Sequence, residues 1–427
     1  MSRLFPEVAD ARREAFWRQQ ERRRQTLGQP CCTQSNMSWS LIDMEGDFCV
    51  VIHGESDCLN CFFHHNGRRA VDYYSTRLSE TQLVSGHTLE PLRHLLQLLA
   101  TERRPAAVIV LGTCPVEVIS DPFEPVVHEV SAATGVPMVA LRTHGLTLMR
   151  LVECQDWLYA TLAGLGEPPE QRHGVNLIGL PPGAASEEAR QVLEAAGVTV
   201  NGLYPNQTRF DAWQRIHHAT HSFVVDSSTV PRLTEALRSG GQQVHDVPVP
   251  IGLYQTGRYY GLVGDRLGCT EAVQAATAAV ARAHDDAWLA LKARLTGRVV
   301  ALCIRMLKTH RTDLLAYEGL GPLELLRGLG MEVVVLVQGP PEARETFRAR
   351  LEALGHADLR MEVFRGPWEL GVVATDVGAD AVVCSDVARK VVEEAGLPMI
   401  SSSAWRPFYA GIPHNLELLA GLADTWA

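Results

Sequence analysis

Only 7% of the 427 residues are aromatic, and no apolar run reaches the roughly 18 positions that a bilayer-spanning helix needs. Positive charge is in short supply. Lys and Arg total 39 against 49 Asp and Glu, a formal net charge of -10. A fold that grips a phosphate backbone needs the opposite balance, so nucleic acid is excluded as its main partner, as is a membrane. Phosphate-cradling glycine motifs are missing too. Neither G-x-G-x-x-G nor G-x-x-x-x-G-K-[ST] occurs, which removes the usual grounds for expecting NAD or ATP. The opening stretch "MSRLFPEVADARREAFWRQQERRRQTLGQP" has no apolar h-region, and acidic residues sit among its arginines. Neither a secretory signal nor a transit peptide is expected, and the expected compartment is the cytoplasm. There, structural disulfides are rare, so the ten cysteines divide into buried apolar residues and thiols with metal or redox work.

Short β-branched apolar runs, each closed by a glycine or polar turn, are abundant. "FCVVIHG" (48–54), "AAVIVLGTC" (106–114) and "PMVALRTHG" (137–145) form a first group. "GVNLIGLPPG" (174–183), "GVTVNGLYP" (197–205), "HSFVVDS" (221–227) and "QQVHDVPVPIG" (242–252) form a second. "GRVVALCI" (297–304), "MEVVVLVQG" (331–339), "ADAVVCSD" (379–386) and "LPMISSS" (397–403) form a third. Amphipathic helical stretches such as 186–197 and 321–330 separate them. Near-continuous apolar strands alternating with helices predict parallel sheets covered on both faces. The fold class is therefore α/β, with three doubly wound, Rossmann-like parallel-sheet domains. A charged helical arm is expected over 1–30, the first α/β domain over 31–168, and the second over 169–268. A long helix from Cys269 to Leu295 leads the third, 269–427. In such sheets ligands bind beyond the carboxyl ends of the strands, where Cys58, Cys114, Asp226, Arg305, Lys308 and Ser385 fall.

Cys49, Cys303 and Cys384 lie inside strand runs and read as core, as does Cys154. Cys58 and Cys114 follow glycine turns at strand ends. Cys58 and Cys61 make a C-x-x-C pair, and Cys31 and Cys32 are adjacent. A zinc site would need a second pair at finger or ribbon spacing. A thioredoxin-like couple would need the rest of that fold. An iron–sulfur cluster needs three or four thiolates, and Cys32, Cys58 and Cys114 supply three, so the remaining sulfur would come from a partner.

One set of motifs is more specific. A cysteine, Cys32, opens the domain. "VVIHGESDC" carries Gly54 and Cys58. "STRLSETQLVSG" carries Ser75, Thr76, Leu78, Glu80 and Gly86, and "GTCPVEVISD" carries Gly112, Thr113, Cys114, Glu117, Ile119 and Asp121. This order resembles the N-terminal domain of the nitrogenase component 1 superfamily, with Pro122 in place of a second acidic residue. The resemblance implies that Cys32, Cys58 and Cys114 hold an iron–sulfur cluster, 8Fe P-cluster-like or 4Fe-4S, shared with a homologous α-type subunit in a heterodimer or heterotetramer. Cys61 and Cys31 stand as alternative ligands. Gly54, Gly112, Ser75, Glu80 and Glu117 stand as groups behind the cluster, although both glutamates also suit helix capping or arginine pairing. It further implies an ATP-dependent iron–sulfur reductase that delivers electrons, and an active-site cofactor in the partner.

Within that superfamily, catalytic subunits anchor a cofactor through a cysteine after a middle-domain strand and a histidine near the C-terminus. Here those places hold Asp226 and Trp405–Arg406, with His414 in a different context. The stretch 244–268 resembles β-type subunits. The expectation is a β-type subunit of a nitrogenase-like oxidoreductase, foremost methylthio-alkane reductase or nitrogenase. The alternatives are a cofactor-maturation scaffold and a protochlorophyllide-type tetrapyrrole reductase.

Overall fold

The expected apolar runs fold into parallel sheets. A computed structural model describes residues 33–34, 37, 41, 44, 46–58, 72–143, 151–180, 183–205, 209–225, 227, 230–304, 321–339, 341, 343–353 and 355–426. The charged arm, Cys31, Cys32, Cys61, Asp226, Arg305 and Lys308 lie outside the described residues.

The first sheet holds β1 (Phe48–His53), β2 (Asp72–Ser75), β3 (Ala107–Gly112) and β4 (Met138–Arg142) in the order β2-β1-β3-β4. Every residue of β1 and β3 is buried, because helices cover both faces of the two central strands. β2 and β4 are edges and are only partly covered. The second sheet repeats the plan with β5 (Val175–Leu180), β6 (Val200–Pro205), β7 (His221–Val225) and β8 (Gln243–Val247), ordered β6-β5-β7-β8. The third holds β9 (Val299–Ile304), β10 (Glu332–Gln338), β11 (Arg360–Phe364), β12 (Ala381–Cys384) and β13 (Met399–Ser401), ordered β11-β10-β9-β12-β13. Each sheet starts at a central strand, grows to one side, then crosses over and grows to the other. That crossing creates a switch point where the chain leaves two neighbouring strands in opposite directions.

Two compact units result. One comprises Pro30–Leu180 and Thr199–Asp246, the other Pro181–Val198 and Val247–Ala427. In the first, the stacked rings of Phe48 and Phe210, with centroids 5.1 Å apart, pack the two sheets' elements together. In the second, Glu188 of the helix Ala184–Ala195 accepts hydrogen bonds from the Tyr260 hydroxyl (2.9 Å) and the Tyr409 backbone amide (3.2 Å), and also from the amide of Ala410. The helix Phe408–Asp424 has proline at its N-cap and no side-chain cap of its own, so Glu188 satisfies donors that would otherwise be orphaned.

Three details depart from expectation. The 269–295 stretch is two helices, Thr270–Arg282 and Asp285–Leu295, interrupted at Ala283 and His284. Two edge strands, β2 and β11, complete sheets whose apolar runs had not announced them.

Candidate metal centre at the edge of the first sheet

β1 and β3 are neighbours in parallel register, with Ile52 opposite Leu111 and His53 opposite Gly112. Both strands end at the switch point of the first sheet. The turn after β1 passes through Gly54 into a helical turn that includes Cys58, and the turn after β3 passes through Thr113 into the helix Cys114–Val118. Cys58 and Cys114 are both half-buried. The parallel β1–β3 pairing therefore brings two thiols to one end of the sheet from adjacent strands.

The glycines of these turns have packing reasons of their own. Gly54 has φ +156°, and a Cβ there would lie 1.9 Å from the Thr113 hydroxyl oxygen. A Cβ on Gly112 would lie 2.5 Å from the Phe123 ring. What approaches each glycine is a side chain of the same unit.

The Thr113 side chain explains the tight fit. Its backbone amide (3.1 Å) and its hydroxyl (2.9 Å) both donate to the carbonyl of His53. The imidazole of His53 is fully buried. Its Nε2 lies 3.1 Å from a carboxylate oxygen of Asp121, also buried, and its Nδ1 lies 3.2 Å from the Thr76 hydroxyl. That hydroxyl oxygen also accepts from the amide of Gly54 (3.0 Å). Burial alone would raise the Asp121 carboxyl. Hydrogen bonds from His53 and Thr88, with the charges of His53 and Arg142, outweigh it and hold the group below the ordinary carboxylate range. Asp121 reaches this place because Ser120 adopts a left-handed conformation (φ 56°), which turns the chain back so that the Asp121 amide donates to the Val116 carbonyl (2.9 Å).

Arg142, at the end of β4, closes the edge. It donates to Glu117 (2.7 Å), to both carboxylate oxygens of Glu124, and to the Asp121 carbonyl (3.0 Å), and its guanidinium lies 5.2 Å from the centroid of the Phe123 ring. Glu117 thus takes the arginine-pairing role that its sequence also suited. Ser75 ends β2 opposite Ile52, and its hydroxyl accepts from the Arg77 amide (3.1 Å). Glu80 is exposed in the first turn of the helix Glu80–Ser85, behind a Ser79–Gln82 capping box. Of the groups expected behind the thiols, Gly54, Gly112, Ser75 and Glu117 stand at this edge, and Glu80 faces solvent.

Of the other described cysteines, Cys269 is also half-buried, at the N-cap of the helix Thr270–Arg282, and four are sealed in. Cys49, Cys154, Cys303 and Cys384 are buried. Burial pushes the Cys49 thiol up to about 11, and raises Cys303 above its ordinary value as well. A thiol in such surroundings stays protonated and inert. Near the C-terminus Trp405 is buried and His414 Nε2 lies 3.0 Å from the Ala404 carbonyl, a contact within the unit.

Among the described residues no three His, Cys, Asp or Glu side chains converge on one metal position. The donor set that this edge does offer is two soft, half-buried thiols. That suits iron or another thiophilic metal whose remaining ligands come from elsewhere, and it does not suit a hard cation, which wants oxygen. His53 and Arg142 were not singled out from sequence. The available signal was a histidine ending an otherwise wholly apolar strand run, immediately before a glycine.

Comparison with known proteins identifies the family. The family model "Nitrogenase component 1 type Oxidoreductase" matches residues 38–405. The nitrogenase iron-molybdenum cofactor biosynthesis protein NifE of Klebsiella pneumoniae is 25% identical over 414 residues, covering 89% of this chain and 86% of that protein. The light-independent protochlorophyllide reductase subunit N of Synechococcus sp. (strain JA-3-3Ab) is 23% identical over 273 residues, covering 56% of this chain and 58% of its own length. The solved structure titled "Nitrogenase Cp1 at pH 5" superposes with a TM-score of 0.67 at 17% identity, covering 92% of this chain and 87% of that one, a likeness of fold. Members of the family bind iron–sulfur clusters and act in complexes with a homologous subunit and a reductase component. With the family model spanning most of its length, the chain belongs to the nitrogenase component 1 type oxidoreductases.

Proposed function

We propose that this chain is one subunit of a nitrogenase-like complex of the cofactor-assembly type, and that Cys58 and Cys114, with Cys32, hold one side of an iron–sulfur cluster shared with a homologous subunit. The observation that carries this reading is the contrast among the cysteines. Two half-buried thiols leave adjacent strands at a switch point, while Cys49, Cys154, Cys303 and Cys384 are sealed in cores and the half-buried Cys269 stands alone at the start of a helix. A cluster bound there, 8Fe or 4Fe-4S, would supply one-electron storage. The chain's own part is to present thiolates from two fixed turns and to keep the Arg142–Glu117–Glu124 network beside them. An ATP-dependent iron–sulfur reductase is the proposed electron donor. Cys61 and Cys31 remain proposed alternates, and the domain limits at 168 and 268 and the β-type assignment belong to the same proposal.

The likeness to a cofactor biosynthesis protein over most of both chains favours assembly over the carbon–sulfur reductase or nitrogenase expected from sequence. Trp405 and Arg406, where a cofactor-anchoring histidine is expected, point the same way. A tetrapyrrole reductase subunit is the second reading, supported by likeness to the protochlorophyllide reductase subunit N.

Anaerobic co-purification with the partner chain tests the proposal. The expected complex is brown, and Cys58→Ser or Cys114→Ser removes most of its iron. A colourless complex, or iron retained in both variants, overturns the cluster assignment. Transfer of a preformed cofactor to a cofactor-free nitrogenase supports the assembly reading. Reduction of protochlorophyllide by the complex, with no such transfer, replaces it with the second reading.

A further inference from the structure

The proposed ligands sit on two turns that are far apart in sequence, and a cluster demands that their separation be right before metal arrives. His53 engages both, through its backbone carbonyl on one side and its imidazole on the other. The His53 carbonyl is held by the amide and hydroxyl of Thr113, whose next residue is Cys114. The His53 imidazole contacts the Thr76 hydroxyl, which in turn binds the amide of Gly54 at the start of the turn that carries Cys58. Its other nitrogen is fixed by Asp121, which follows the Cys114 helix and is itself tied down by Arg142 through its backbone carbonyl.

We propose that His53, oriented by Asp121, is the positioning residue for the metal thiolates: it sets the Cys58 turn against the Cys114 turn in the chain before any cluster is bound. The proposal rests on the cluster reading above. Burial of a polar pair in this sheet is expensive, and here it is placed where the two ligand turns leave the sheet rather than elsewhere in the core. The pair reaches the Gly54 amide through the Thr76 hydroxyl, and it holds in place the residue whose backbone carbonyl receives both Thr113 donors. Pre-organisation of ligands by hydrogen bonds from behind is the general way a protein raises the affinity and fixes the geometry of a metal site.

Two measurements on the full complex and on its metal-free form decide the matter, using His53→Ala, His53→Gln and Asp121→Asn. In the metal-free chain, amide hydrogen exchange at Gly54 and Thr113 should quicken at least tenfold in His53→Ala, while the strands β9 and β10 keep wild-type protection. Iron bound per complex should fall at least fivefold in the same variant. Asp121→Asn keeps an acceptor of the same shape, and should return both readings to within about twofold of wild type. Should His53→Ala fail to fold, His53→Gln, which retains a donor towards Asp121, carries the test, with intermediate exchange and intermediate iron expected.

Unchanged exchange at Gly54 and Thr113 in every His53 variant overturns the inference. So does loss of iron with both amides still protected, which would mean that His53 acts on metal binding by another route. If wild-type complex binds no iron, the cluster reading has failed, and the exchange data still decide whether His53 couples the two turns.

Discussion

Consider replacing Gly54 by alanine. The added methyl carbon would lie 1.9 Å from the Thr113 hydroxyl oxygen, 3.0 Å from its Cβ and 3.1 Å from its Cγ2. No torsion of a methyl relieves that overlap. Thr113 must swing away, and in doing so it surrenders the bond from its hydroxyl to the His53 carbonyl in a buried setting. Leaving that group unsatisfied costs about 1–3 kcal/mol. Crowding a packed interior adds about 1–3 kcal/mol. A non-glycine residue at φ +156° adds about 1–3 kcal/mol more. The expected loss is therefore about 3–6 kcal/mol allowing for partial relaxation, a large share of the roughly 5–15 kcal/mol that holds a protein together. Urea midpoints of wild type, Gly54→Ala, Thr113→Ala and the double variant measure it. Thr113→Ala removes the clashing oxygen and Cγ2 but not the carbon at 3.0 Å, so it should rescue Gly54→Ala in part, with a coupling of about 1–2 kcal/mol. A Gly54→Ala protein within about 0.5 kcal/mol of wild type, or strictly additive losses, would refute the reasoning.

Two further predictions separate other roles. Cys49→Ser should destabilise by about 1–3 kcal/mol, since a hydroxyl replaces a fully buried thiol with no acceptor built for it. Native Cys49 should also resist iodoacetamide at pH 8, given a thiol raised to about 11. Cys114→Ser should stay within about 0.5 kcal/mol while losing iron, and equal stability losses in the two variants would contradict the division of cysteines. Glu188, whose carboxyl burial raises above its ordinary value, binds its proton more tightly folded than unfolded. Its contribution is therefore fullest below the ordinary glutamate value of about 4.3 and fades as pH climbs through the raised folded value. Asp121, held low, runs the other way: its contribution is present above about 3.9 and is lost as pH falls through its depressed value. Urea midpoints from pH 3 to 7 for wild type and Glu188→Gln check this, and an unchanged slope above pH 4 in the variant would count against the Glu188 assignment.

The central strands were readable because strands covered on both faces are largely apolar, and β1, β3, β5 and β12 are buried at every residue. β2 and β11 were not, because edge strands need only half a face: β2 has no fully buried residue and β11 alternates irregularly. The helix break at Ala283–His284 falls in alanine-rich sequence with full helical propensity. Its signal is the Asp285–Asp286 pair, which favours the positive start of a new helix. Cys58 and Cys114 were legible as strand-end thiols from local pattern. The His53–Asp121 pair was not, because it spans 68 residues and depends on the β1–β3 register and on one left-handed serine. No local window contains those facts.

The strand order of the first sheet also sets a timetable. His53 and Thr113 are separated by 60 residues, and β3 docks on the side of β1 opposite β2. Closing so long a loop is slow relative to the helices within it. A chain still emerging from the ribosome thus offers one strand-end thiol long before the second stands beside it. At the proposed cluster site, metal captured at that stage would meet an incomplete, mismatched set of ligands, and loading is therefore proposed to follow the docking of β3 on β1.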